Sequence, residues 1–192
     1  MAKKKSDTKK KSDGKVGIEI VNIVVSAALG KEIPLEKMAA TLHNTEYNPE
    51  QFPGLVMKIK DPKTSALIFS SGKIVCTGAR TLDDVSAAIR KIIKSLEKIK
   101  IKIEKEPEFT VQNIVASGAV GMPLNLNTLA MKLDNTEYEP EQFPGLVYKM
   151  PEIHATFLLF SNGKVVCTGT KSEAEVHNAL KKLIVNLKKV RK

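Results

Sequence analysis

The sequence predicts an α+β chain built by tandem duplication, with a mostly antiparallel sheet. Three observations predict it. Long segments recur at one constant offset. Each copy holds several short β-branched runs joined by tight turns. Each copy also holds two stretches whose apolar residues recur with helical spacing.

The duplication comes first because it organises everything else. IVNIVVSAALG (20–30) returns as VQNIVASGAVG (111–121). NTEYNPEQFPGLVMK (44–58) returns as NTEYEPEQFPGLVYK (135–149), and LIFSSGKIVCTG (67–78) as LLFSNGKVVCTG (158–169). Each match has an offset of 91 with no gap, and laying 20–101 on 111–192 gives about 37 identities in 82 positions. Only two copies exist, which excludes a long solenoid and points to a pseudo-twofold molecule that shows one face twice.

Within each copy the elements follow in order. Residues 20–26 are apolar and β-branched, hence a strand. Leu35, Met38, Ala39 and Leu42 recur at i, i+3, i+4 and i+7, so 34–43 is an amphipathic helix with Pro34 in its first turn; Leu126, Leu129, Ala130 and Leu133 repeat the pattern. A short extra strand is expected near Glu46–Tyr47. A loop with Pro49, Pro53 and Gly54 follows, then strands near 55–60, 65–70 and 73–77, the last two joined by a Ser-Gly turn. Thr81–Asp84 and Ser172–Glu175 have capping-box spacing, an acid three residues after a hydroxyl. Behind Thr81, the residues Leu82, Val85, Ala88, Ile89, Ile92, Ile93 and Leu96 form one apolar stripe. The boundaries predicted are a disordered tail over 1–17, a first repeat over 18–101, a linker and strand start over 102–110 and a second repeat over 111–192.

Composition limits the function classes. The 192 residues are 42% hydrophobic and 27% charged, a globular balance. No apolar run is long enough to span a bilayer, and no signal peptide is expected. Two cysteines cannot build a disulfide framework or a cysteine-rich zinc site. The net charge is +10, but residues 1–15 hold seven Lys and two Asp and so carry +5 of it. That segment suits either a loose electrostatic grip on nucleic acid or a solubilising tail. His43, His154 and His177 sit in unrelated contexts, and no Gly-rich phosphate loop or catalytic constellation is present, so no enzyme and no cofactor are expected.

Alternation then separates two faces. Ile23 and Val25 share one face of the first strand, and Asn22, Val24 and Ser26 the other. In the hairpin, Leu67, Phe69, Val75 and Thr77 oppose Ala66, Ile68, Ile74 and Cys76. Both faces are therefore largely apolar, unlike a sheet with one wet side. Two helices per copy cover one face. The other is either a sandwich core or a contact surface. Asn22, Asn113, Thr77 and Thr168 favour the contact surface, since each would need a buried partner in a dry core.

These blocks resemble the TATA-binding protein family, over about residues 18–190. The resemblance rests on the duplicated NIV strand, the EYxPEQFPGLV segment and the LIF/LLF-to-CTG hairpin, and PEQFPGLV in both copies is closer to the archaeal members. It implies a saddle: a curved ten-stranded antiparallel sheet with four helices on the convex face, a known case of a sheet that binds the minor groove and kinks DNA. By position in the motifs it implies a DNA face of Asn22, Val24, Phe52, Leu67, Phe69, Val75 and Thr77, with Asn113, Val115, Phe143, Leu158, Phe160, Val166 and Thr168.

The residue types fit that task. An A·T pair offers only acceptors in the minor groove, and the Asn amides and Thr hydroxyls supply donors. A G·C pair adds an amino group that Val24, Val75, Val115, Val166, Leu67 and Leu158 would leave unpaired, at about 1–3 kcal/mol. Phe52 with Phe69, and Phe143 with Phe160, would wedge open base steps, most easily at flexible TA steps. Lys58, Lys73, Lys149 and Lys164 are the expected phosphate contacts, standing partly where the family often has Arg.

The resemblance further implies a general initiation factor that binds TATA-box DNA and recruits transcription factor B, and through it RNA polymerase. It would act in the cytoplasm of an archaeon, on the nucleoid, or in the nucleus of a eukaryote. Glu139, Glu141 and Gln142 of the second loop are the candidates for transcription factor B. A near-symmetric saddle should discriminate direction poorly alone, so that factor is expected to supply much of the polarity. An enzyme on a similar saddle, as in DNA glycosylases with such a domain, would need a catalytic Lys/Asp pair in an added domain for which no residues remain. The competing reading is a nonspecific DNA-bending protein or nucleic-acid chaperone acting through charge. Neither a membrane nor a small-molecule substrate is expected.

Overall fold

The computed structural model describes residues 16–190; the expectation for the Lys-rich segment 1–15 lies outside the described residues. The first copy runs β1 (Gly17–Ala28), α1 (Leu35–Thr41), β2 (Thr45–Glu46), β3 (Leu55–Ile59), β4 (Thr64–Ile68), β5 (Lys73–Ala79) and α2 (Leu82–Lys98). The second runs β6 (Phe109–Ala119), α3 (Leu126–Lys132), β7 (Thr136–Glu137), β8 (Leu146–Met150), a 3-10 turn at Pro151–Ile153, β9 (Ala155–Leu159), β10 (Lys164–Thr170) and α4 (Glu173–Val190).

All ten strands join one sheet in the order β2-β3-β4-β5-β1-β6-β10-β9-β8-β7. Every neighbouring pair is antiparallel. The order reads the same when the copies are exchanged. At its centre Ile23 pairs with Ile114, its own repeat equivalent, while Asn22 pairs with Val115 and Val24 with Asn113. The pseudo-twofold axis therefore passes through the Ile23–Ile114 pair.

The first strand is longer than the expected 20–26 because β1 has two partners along its length. Its C-terminal half pairs with β5, and nearly its whole length pairs with β6. Helix α1 is shorter than expected. Pro34 caps it rather than opening its first turn, and Leu42 is already extended at φ −108° and ψ 119°. From Leu42 the chain turns into the sheet edge, where Asn44 accepts from Lys58 N at 2.9 Å. The 3-10 turn was not expected, and it falls where the copies share no identity between Met150 and Thr156.

Burial alternates along the strands. In β4 and β9 every second residue is buried and the residues between are half-buried. The buried set meets the four helices, whose inward stripes include Val85, Ala88, Ile89, Ile92 and Leu96 in α2 and Val176, Ala179, Leu180, Leu183 and Leu187 in α4. Leu82, expected in that stripe, is 51% exposed at the first position of α2. Helix α2 opens with a full capping box: Thr81 accepts from Asp84 N at 3.1 Å, and Asp84 accepts from Thr81 N at 3.2 Å. In α4 the return arm is displaced, since Glu175 accepts from Lys171 N at 2.8 Å. Because a single sheet holds every strand, no second sheet packs on its other face. The sandwich alternative is thereby removed, and the half-buried face stays open.

Candidate nucleic-acid interface

The cross-strand register arranges the open face in rows. In the first copy Val56, Leu67, Val75 and Ser26 lie side by side across β3, β4, β5 and β1. Val147, Leu158, Val166 and Ser117 repeat the row across β8, β9, β10 and β6. All of these are half-buried except Ser117, which is exposed. Val56 and Val147 were not among the expected residues. Alternation within the short strands 55–59 and 146–150 could have found them, since both share a face with Lys58 and Lys149.

Asn22 and Asn113 stand beside the axis, and their amides are held in one orientation. Asn22 Oδ1 accepts from Gly78 N at 2.7 Å and from Thr77 Oγ1 at 3.2 Å. Asn113 Oδ1 accepts from Gly169 N at 2.8 Å and from Thr168 Oγ1 at 3.3 Å. The acceptor end of each side chain is thus engaged, which fixes the nitrogen as the end available to an outside acceptor. In the second copy Asn113 Nδ2 also lies 3.0 Å from Thr168 Oγ1. Thr77 and Thr168, expected as donors toward bases, therefore have their hydroxyls on the neighbouring Asn and position it. The inward-facing N–H comes from Gly78 and Gly169, both at φ +97°. A side chain on Gly169 would meet His154 O at 2.4 Å, so both conformation and space require glycine there.

Phe52 and Phe69 pack edge to face with ring centroids 5.9 Å apart, and Phe143 and Phe160 with centroids 6.0 Å apart. Phe52 and Phe143 are 40% and 41% exposed, high for a ring that size, and so stand at opposite ends of the open face. Each hangs from a turn: Phe52 N donates to Asn48 O and Phe143 N to Glu139 O. Gly54 and Gly145 make room for them. A Cβ at either would lie 2.6 Å from the Phe52 or Phe143 ring. Sequence reading placed both glycines in a loop but did not see this contact.

The four expected phosphate lysines are all exposed. Lys58 lies 3.8 Å from Glu46, and Lys149 2.5 Å from Glu137. Glu139, Glu141 and Gln142 are exposed on the turn that carries Phe143. Cys76 and Cys167 are buried under the helices, and burial pushes both thiols up, Cys167 to about 11. His43 and His154 are exposed, and His177 lies 3.6 Å from Glu173. Among the described residues no group of three or more His, Cys, Asp or Glu side chains could hold a metal, and no helix is long and apolar enough to cross a membrane. The arrangement offers two donors, a broad apolar strip and two aromatic wedges, with cations at its margins, and no group placed for bond-breaking chemistry.

Comparison with known proteins agrees with this geometry. The sequence model of the family described as "Transcription factor TFIID (or TATA-binding protein, TBP)" matches residues 17–99 and 108–190. The TATA-box-binding protein of Thermococcus kodakarensis is 48% identical over 174 residues, 91% of this chain and 92% of that protein. That of Methanosphaera stadtmanae is 55% identical over 157 residues, 82% of this chain and 86% of that protein. The solved structure of Methanococcus jannaschii TBP superposes with a TM-score of 0.84 at 48% identity, covering 90% of this chain and 98% of that one. With the family's model matched twice along the chain and its fold reproduced, the chain belongs to the TATA-binding protein family, a family of transcription factors rather than enzymes.

Proposed function

We propose that the chain is a general transcription initiation factor that binds A/T-rich TATA-box DNA through the minor groove. The observation that carries this reading is the paired Asn22 and Asn113 amides, with their oxygens held by Gly78 and Gly169 N–H groups in the middle of an apolar face. Donors so placed match adenine N3 and thymine O2, and the surrounding Val and Leu side chains offer nothing to a guanine amino group. The Phe52–Phe69 and Phe143–Phe160 pairs at the two ends would enter base steps and kink the duplex. Kinking lays more of the duplex on the sheet and favours flexible TA steps. Lys58, Lys73, Lys149 and Lys164 would grip phosphates and set register. The turn with Glu139, Glu141 and Gln142 is the proposed surface for transcription factor B, which would bring RNA polymerase.

A competition titration tests this against nonspecific bending. A labelled TATA duplex is bound and challenged with unlabelled A/T-rich and G/C-rich duplexes of equal length at fixed salt. The proposal predicts that the A/T-rich competitor displaces the label at concentrations at least tenfold lower. Equal displacement would leave only the charge-driven chaperone.

A further inference from the structure

A duplex can tell the two ends of this face apart only where the copies differ on it. Along the strands of the open face they differ at three pairs: Glu19 and Thr110, Val21 and Gln112, Ser65 and Thr156. Only the first changes the charge. Glu19 pairs with Ser117, and Ser117 with Val166, so its carboxylate extends the row of Val166, Leu158 and Val147. Ile18 and Ile20 on either side pack toward the helices instead. Glu19 is exposed, and no hydrogen bond or ion pair joins it to another described residue.

Its surroundings are matched across the axis. Gly17, Ala119 and Lys164 form the next row beyond Glu19. Across the axis, Thr110 sits beside Ser26 and Val75, with Lys73 in the next row. One edge therefore carries Lys73 with a neutral threonine, and the other Lys164 with a free carboxylate. A second difference deepens the contrast. Gln112 Nε2 donates to Ser26 Oγ at 2.8 Å, whereas Val21, its repeat equivalent, has no polar group to offer Ser117.

From this we infer that Glu19 gives the open face an intrinsic direction on DNA. The inference rests on the minor-groove reading above. A-tracts have a narrow minor groove with enhanced negative potential, while TA-rich segments are more flexible and wider. The carboxylate is repelled most where the groove is most negative. An asymmetric site is therefore held with its A-tract half on the first copy, next to Lys73 and Thr110, and its TA-step half on the second copy, next to Glu19. Because the charge is exposed, the bias is modest, about two- to fivefold.

The test places a donor dye on Glu36→Cys in α1, far from the open face, where the buried Cys76 and Cys167 leave the new thiol as the one that labels. Duplexes with TA steps in one half and an A-tract in the other carry an acceptor at either end, and transfer efficiency reports orientation while anisotropy reports total binding. The unsubstituted face should favour the A-tract on the first copy. Glu19→Thr should bring the two orientations toward equality and raise total affinity severalfold. Combining Glu19→Thr with Thr110→Glu moves the carboxylate across the axis and should reverse the preference. An orientation ratio unchanged by both variants, or an initial preference in the opposite sense, overturns the inference while leaving minor-groove binding intact. Absence of any A/T-selective binding would remove the reading beneath it.

Discussion

An asparagine in a minor groove is useful only if its nitrogen, not its oxygen, meets the base edges. Asn22 and Asn113 meet that requirement through the Gly78 and Gly169 N–H groups that hold their oxygens. Asn113→Asp replaces the donor with an acceptor facing other acceptors. It should weaken A/T-rich binding by at least tenfold in an equilibrium titration, as expected from about 1–3 kcal/mol per unpaired polar group. Unchanged affinity would show that the amide does not face the groove. Gly54→Ala puts a methyl group 2.6 Å from the Phe52 ring and must displace it. Bending at the first-copy end should fall while the far-ultraviolet spectrum stays native. The thiols give a pH test. Cys167 is raised from 9.0 to about 11 by burial. Between those values the unfolded chain has lost a proton that the folded chain keeps. Stability is therefore full below pH 9 and falls as pH rises toward 11, and Cys167→Ala should flatten that fall in denaturant titrations.

At the scale of elements, most of the fold was legible because period and punctuation agree with packing. Leu35, Met38, Ala39 and Leu42 gave α1, and the hydroxyl–acid spacing at Thr81 and Ser172 located the starts of α2 and α4. Strand ends were less legible. The ends of β1 depend on two partners distant in sequence, and no local pattern encodes that β6 pairs along nearly its whole length. The same reason hid Val56 and Val147, whose place on the open face follows from register with Leu67 and Leu158. The role of Thr77 was also hidden, because its hydroxyl meets Asn22 across 55 residues of chain. The caps can be compared directly. Thr81→Ala breaks both arms of a box and should cost about 0.5–2 kcal/mol in chemical denaturation. Ser172→Ala should cost less, since the Glu175 arm to Lys171 N survives.

For the whole molecule, duplication explains how an open apolar face can persist. One sheet with four helices buries a core on one side, and two copies of the same face extend the other into a surface long enough to follow a groove. Net charge of +10 pointed only toward a polyanion. The face itself, with donors at the axis and phenylalanines at the ends, narrows the partner to minor-groove DNA under the proposed function. Removing a phosphate lysine such as Lys73 should lower affinity for all sequences alike and reduce the slope of log affinity against log salt by about 0.9. The claim on which the rest depends is that the two phenylalanine pairs bend the duplex. A TATA duplex labelled with fluorophores at both ends should shorten when the protein binds. Phe143→Ala should bind with less shortening, and the Phe52→Ala, Phe143→Ala double variant with little. Tight binding with no change in end-to-end distance would contradict the account.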